Sequence, residues 1–268
     1  MTVWQVILLG ILQGATEFLP VSSSGHLVIV PYLLAWPDPG LLVDTMLHLG
    51  TMTAVVVYFW QDLWRIARAA LEGLRQRSMA NPDTRLAWYL VLGTVPAALI
   101  GFLWEDFFEQ LFGMPKAAAA FLLVTAALLL LAEFIGRKER ILAALSWPHA
   151  LLIGLAQTLA IAPGLSRSGS TIAMGLLLGY RREDATRFSF LLSVPIILGG
   201  GAYQLLKLLT RGVDQAPLGL LGAGFVAAAL TGYVAVAGLL ALVQRRSLWP
   251  FAAYCALLGT LVLSGILG

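Results

Sequence analysis

The sequence predicts an all-α polytopic membrane protein with six transmembrane helices plus two re-entrant helical hairpins, arranged as an inverted-topology repeat. Three observations carry this. Of 268 residues, 59% are hydrophobic and only 12% are charged, about half the charged share of an ordinary soluble domain. Six apolar stretches approach the roughly 20 residues that a membrane-crossing helix needs. Two further apolar stretches are broken near their middles by polar islands that resemble each other.

The first broken stretch, 1–36, is interrupted at Pro20-Val-Ser-Ser-Ser-Gly25. Proline removes a backbone donor and glycine favours non-helical backbone, so two half-helices are expected rather than one. No small-residue cleavage site follows the N-terminal apolar run, so it reads as part of the mature fold. Spans are then expected at 43–60, 86–104 and 117–135, separated by loops 61–85 and 105–116. The second broken stretch, 149–180, is interrupted at Pro163-Gly-Leu-Ser-Arg-Ser-Gly169, and spans follow at 188–206, 218–243 and 250–267. Unwound backbone at membrane depth survives only where protein or a water-filled cavity satisfies it, which favours segments that enter and leave on one side.

Loop charge gives the orientation. Arginine and lysine dominate loops 61–85, 136–148, 181–187 and 244–249, whereas loop 105–116 carries Glu105, Asp106 and Glu109 against Lys116. The positive-inside rule places the basic loops in the cytoplasm and both termini outside, provided that the broken stretches do not cross. Trp60, Trp64, Trp104 and Trp249 suit interfacial anchors.

Small motifs recur between the halves, about 1–135 and 149–268, which read as one integral membrane domain built from two repeats. Gly10-Ile-Leu-Gln13 parallels Gly154-Leu-Ala-Gln157, Ser22-Ser-Ser-Gly25 parallels Ser166-Arg-Ser-Gly169, and Gly93 to Gly101 parallels Gly224 to Gly232. Three crossings per copy invert the second copy relative to the first, and such folds bring their broken segments together near the midplane.

The polar islands are where chemistry is expected. Gln13 and Glu17 lie four residues apart on one helical face. Ser22, Ser23, Ser24 and His26 follow, and Ser166, Arg167, Ser168, Ser170 and Thr171 repeat the design with a guanidinium suited to phosphate oxygens. Ionisable groups at this depth are functional by default, and helix N-termini favour anions, so an intramembrane enzyme acting on a phosphorylated lipid is expected. Blander roles exist: the serines as helix caps, and Glu17 with Arg167 as a structural ion pair. His48 reads as packed or pore-lining, Gln157 as a helix-to-helix hydrogen bond, Glu133 as snorkelling, and the lone Cys255 as a packed core thiol. Nucleic acid is not an expected partner at a net charge of +3, and no zinc spacing, Walker loop or dinucleotide fingerprint occurs.

Gln-x-x-x-Glu followed by Phe-Leu-Pro-Val-Ser-Ser-Ser-Gly-His, with the later Pro-Gly-x-Ser-Arg-Ser-Gly-x-Thr and Phe188-Ser-Phe-Leu-Leu-Ser-Val-Pro195, resembles the bacterial undecaprenyl-diphosphatase family associated with bacitracin resistance. The resemblance implies hydrolysis of undecaprenyl diphosphate to the monophosphate, recycling the lipid carrier of peptidoglycan synthesis. It also implies a multi-pass protein of the bacterial inner membrane with its site toward the periplasm. The family's first motif position takes Glu or Gln; Gln13 leaves this chain one carboxylate fewer.

On that footing, Ser23, or its neighbour Ser22, is expected to attack phosphorus, with His26 as general base or proton shuttle and Glu17 orienting or charging it. Water activated by His26 would use the same residues. Arg167, Gln13, Ser22, Ser24, Ser166, Ser168 and Thr171 would hold the diphosphate. A divalent cation, magnesium or calcium, would sit on Glu17, and a homodimer is allowed. The rival is a transporter of lipid phosphate or an anion through the same pocket.

Overall fold

In the computed structural model, which describes residues 1–211 and 217–266, twelve α-helices and one 3-10 turn follow one another, with no β-strand among the described residues. The first polar island separates α1 (Val3–Phe18) from α2 (Ser23–Leu33). Thr2 and Gln5 cap the start of α1 reciprocally, and helical backbone stops before Pro20. Next come α3 (Gly40–Tyr58), α4 (Trp60–Gln76), α5 (Pro82–Leu103), α6 (Glu105–Phe112) and α7 (Pro115–Ile135). After the 3-10 turn Leu142–Ala144, the second island separates α8 (Trp147–Leu159) from α9 (Arg167–Leu177). The chain closes with α10 (Arg182–Arg211), α11 (Leu218–Val243) and α12 (Trp249–Leu263).

Five helices, α3, α5, α7, α10 and α11, are long and apolar enough to cross a membrane. The sixth expected span falls on α12, whose 15 residues extend about 22 Å at about 1.5 Å per residue, short of a hydrocarbon core about 30 Å thick. Residue 267 of that expected span lies outside the described residues. Three regions expected as loops are largely helical instead. In 61–85, helix α4 buries Ile66 and Ala69 against α5 while Trp60, Trp64, Leu71 and Leu74 stay exposed. Arg77 ends it in the left-handed conformation at φ +49°. In 105–116, α6 forms a short amphipathic turn region, and 182–187 becomes the first part of α10. Each was too polar to resemble a span, yet one apolar face is enough for a helix; α4 buries two residues on that face and α6 buries none.

The packing is reciprocal. Half-helix α1 lies on α11, and half-helix α8 lies on α5. The glycines that recur between the halves make these approaches possible: a β-carbon on Gly10 would sit 2.5 Å from the carbonyl oxygen of Gly224, and one on Gly154 would collide with the backbone of Gly93. Gln157 donates to the Gly93 carbonyl at 3.3 Å, the expected helix-to-helix bond.

Cross-links gather the basic loops at one end of the bundle. Arg182 makes a paired contact with Glu133 at 2.7 and 2.6 Å, Lys138 joins the same carboxylate at 3.2 Å, and Leu248 N–H donates to it at 2.9 Å. Glu133 is therefore buried and fully engaged rather than snorkelling. Arg187 reaches Asp62 at 2.6 Å, and Gln244 reaches Glu183 at 3.1 Å. Elsewhere, Lys207 and Tyr203 of α10 bind Glu105 of α6, with Lys207 also on Glu109.

Candidate functional site

The two polar islands meet. Gly25 lies against Gly164, where an added β-carbon would stand 3.0 Å from the Gly164 α-carbon. Gly164 has φ +96°, a conformation that suits glycine. Its carbonyl accepts from Thr125 at 2.9 Å, and the same hydroxyl accepts from Ser166 N–H at 3.1 Å. Ser168 donates to the Leu19 carbonyl at 3.0 Å, stitching the second island onto the first.

Between them lies a cleft of about 190 Å³. Its polar wall is Glu17, Ser22, Ser23, Ser24, His48, Ser166 and Arg167; Leu165, Ile196, Ile197, Ala160 and Phe112 supply an apolar wall. Helices α2 and α9 begin at Ser23 and Arg167, so two helix N-termini open on the cleft, an arrangement that favours an anion there. Ser22 and Ser166 cap them by accepting from Gly25 N–H at 3.2 Å and Gly169 N–H at 3.0 Å.

Glu17 is the hub. It accepts from Ser23 at 2.5 Å, from Gln13 at 2.9 Å and from Arg167 at 2.5 Å, and His48 Nε2 stands 3.8 Å away. Arg167 keeps its second nitrogen, Nη1, without a partner, a donor left for a ligand's oxygen. The carboxylate, serine and guanidinium that the sequence singled out thus form one constellation drawn from both islands.

Two expectations are corrected by placement. Ser23 does not hydrogen-bond His26. His26 is 2% exposed, its Nδ1–H donates to the Ser22 carbonyl at 2.7 Å, and its Nε2 accepts from the Tyr254 hydroxyl at 2.7 Å. Gln13, Ser168 and Thr171 do not line the cleft; Gln13 is buried behind Glu17, Ser168 bonds Leu19, and Thr171 pairs with Ser189 at 2.7 Å. His48, read as packed or pore-lining, is a wall of the cleft, with its tautomer set by Nδ1–H donation to the Asp44 carbonyl at 2.9 Å. Tyr254 was missed altogether, because a tyrosine in a late apolar stretch gives no signal of the imidazole that it meets.

Backbone strain lies beside Ser23. Ser22, one residue earlier, holds φ +68° and ψ +94°, a region that costs a residue with a β-carbon about 1–3 kcal/mol. This turn puts Ser23 at the start of α2 with its hydroxyl on Glu17.

As for a divalent cation, Gln13 Oε1 is buried without a partner beside Glu17. One carboxylate and one amide oxygen fit a hard cation that takes its remaining ligands from a diphosphate and water. Among the described residues no group of three or more His, Cys, Asp or Glu side chains is placed to hold a metal unaided.

Residues 6–261 match the family model of the bacitracin resistance protein BacA. The chain belongs to this family. Members of the BacA family named undecaprenyl-diphosphatase are similar to it end to end. That of Pelobacter propionicus is 46% identical, covering 100% of this chain and 98% of that protein. Those of Rubrobacter xylanophilus and Geobacter sulfurreducens are 48% and 45% identical, with at least 96% of every chain covered.

Proposed function

We infer that this chain is an integral membrane phosphatase that hydrolyses undecaprenyl diphosphate to undecaprenyl phosphate and inorganic phosphate, the reaction that returns the lipid carrier to peptidoglycan synthesis. The observation that carries this is the Ser23–Glu17–Arg167 cluster, assembled from both islands around one cleft. An anion carrier would gain nothing from a serine hydroxyl held on a carboxylate; a phosphoryl-transfer site needs both.

The chemistry follows from the contacts. Glu17 takes the Ser23 proton as the serine oxygen bonds the terminal phosphorus, and the bond from that phosphorus to the bridging oxygen breaks. Undecaprenyl phosphate leaves with the bridging oxygen. Water then attacks the phosphoserine, Glu17 manages its proton, and inorganic phosphate departs with Ser23 restored. Arg167 Nη1, Ser24, Ser166 and the N-termini of α2 and α9 offset charge on the equatorial oxygens. Glu17 and Gln13 Oε1 would hold magnesium or calcium, which would neutralise diphosphate charge when bound. The apolar wall of Leu165, Ile196, Ile197 and Phe112 accepts the first isoprenoid units, so the tail stays in lipid.

The inverted repeat is supported by the reciprocal glycine approaches of α1 on α11 and α8 on α5. Cross-links among the basic loops support one shared cytoplasmic end. In this reading α12 serves as the sixth membrane helix, the membrane is the bacterial inner membrane, and the cleft opens toward the periplasm.

The test is phosphate release from undecaprenyl diphosphate by purified protein, with and without added magnesium or calcium. Wild type releases phosphate, whereas folded Ser23→Ala and Arg167→Ala lose at least about 10²-fold, the effect of removing a main catalytic group. No release by folded wild type under any cation condition would return the transporter to first place.

A further inference from the structure

His26 belongs to the motif of the reactive serine, yet both ring nitrogens are committed away from the cleft. Nδ1–H donates to the Ser22 carbonyl, and Nε2 is occupied by the Tyr254 hydroxyl. The rings of His26 and Tyr254 lie parallel within 4°. Tyr254 comes from α12, and its neighbour Cys255 donates to the Pro20 carbonyl at 3.7 Å. The last helix therefore braces the turn between α1 and α2 at two adjacent points, and Ser22, in its positive-φ conformation, lies within that turn.

The second island supplies an internal comparison. Ser166 corresponds to Ser22 but holds an ordinary extended conformation, φ −72° and ψ 122°. Four residues on, where the first island has His26, the second has Ser170, whose buried hydroxyl has no partner. Both copies keep the backbone bond from the fourth residue to the capping serine, His26 N–H to Ser22 at 3.2 Å and Ser170 N–H to Ser166 at 2.8 Å. The imidazole and its tyrosine occur only in the copy whose serine is strained and whose next residue is the nucleophile.

We propose that Tyr254 and His26 are positioning residues, a strut from α12 that fixes the Ser22 carbonyl, keeps Ser22 in its positive-φ conformation and so aims the Ser23 hydroxyl at Glu17. The strut rests on the reading of Ser23 as the nucleophile of a phosphatase. The functional end of His26 is then its Nδ1–H donor, and its basicity takes no part in the reaction. Tyr254 acts through His26 by orienting the ring and supplying the proton that Nε2 accepts.

The side chains of asparagine and glutamine separate these roles. In His26→Asn the amide nitrogen stands where Nδ1 stood, so the bond to Ser22 is kept while no base remains. His26→Gln places its amide at the Nε2 position, keeps Tyr254 and loses Ser22. Two readouts are needed on the full-length protein in detergent: kcat and KM for phosphate release, and amide hydrogen exchange across residues 19–26. His26→Asn keeps the Ser22 bond but loses the Tyr254 bond, so it should stay within about tenfold of wild type and speed exchange no more than Tyr254→Phe does. His26→Gln and Tyr254→Phe should lower kcat with KM unchanged and speed exchange, Tyr254→Phe by about fivefold to tenfold in rate, the effect of losing one hydrogen bond. A His26→Asn protein whose exchange is no faster than that of Tyr254→Phe but whose turnover falls by about 10²–10⁴-fold, as loss of a general base would make it, overturns the proposal. If wild type releases no phosphate, the phosphatase reading fails, and exchange decides the strut by itself. Unchanged exchange in every variant overturns it; faster exchange in the phenylalanine variant, and faster exchange in the glutamine than in the asparagine variant, upholds it.

Discussion

Removing both members of the Glu17–Arg167 pair should cost the fold little more than removing one. The two charges are nearly out of reach of water, with side chains 7% and 13% exposed, and their atoms approach to 2.5 Å. With charge centres about 4 Å apart and an effective dielectric near 20, the attraction is about 4 kcal/mol. Glu17→Gln leaves a buried guanidinium without its anion, and Arg167→Met leaves a carboxylate held only by neutral donors and the more distant His48. Each single change should lower unfolding free energy by about 3 kcal/mol. In the double variant no buried charge is stranded, so the loss should be about 3–4 kcal/mol rather than 6, a coupling of about 2–3 kcal/mol. The assay is equilibrium unfolding in mixed micelles at increasing denaturing-detergent fraction, run on all four proteins. Losses that add within about 0.5 kcal/mol would mean that the pair does not interact, and the account of how the two islands are joined would fail. All three variants should be inactive in phosphate release, so stability and chemistry separate cleanly.

Gly10→Ala should destabilise by about 1–3 kcal/mol, since its methyl would meet the Gly224 carbonyl; Gly222→Ala, with open space around the added atom, is the control, and both are read from the unfolding midpoint. Glu133→Gln should cost about 2–3 kcal/mol by loosening Arg182, Lys138 and the start of α12, while KM for the diphosphate stays at its wild-type value in steady-state assays. Ser168→Ala should leave KM unchanged and lower stability by about 1 kcal/mol, because its hydroxyl holds Leu19 rather than substrate. A several-fold rise in KM would return Ser168 to the binding site.

Much of the fold was legible because a bilayer restricts what a chain can do. Twenty apolar residues in a row have few other fates, and Pro20 and Pro163 mark breaks that backbone chemistry enforces. Glu17, Ser23 and Arg167 stood out because their burial in lipid is costly without a purpose. Helix α4 was hidden by its arginines: the search for long apolar stretches passes over a helix that buries only one face. The role of His26 was hidden for a different reason. Proximity in sequence to a serine suggests a catalytic dyad, but the ring's direction depends on Tyr254, 228 residues away. Likewise, Ser168 and Ser24 are alike as letters, and only the joining of the two islands decides which of them meets the cleft.

The crossed packing of the halves bears on how the protein is made. Gly10 awaits Gly224, and Glu17 awaits Arg167, which is 150 residues later in the chain. At about 5–20 residues per second, the first hairpin leaves the ribosome roughly 8–30 s before its counter-charge exists. During that interval Glu17 and the three serines have no guanidinium opposite them. Membrane integration of this chain is therefore a two-stage event: early helices enter provisionally, and the reactive centre takes shape only when the second hairpin threads in beside the first.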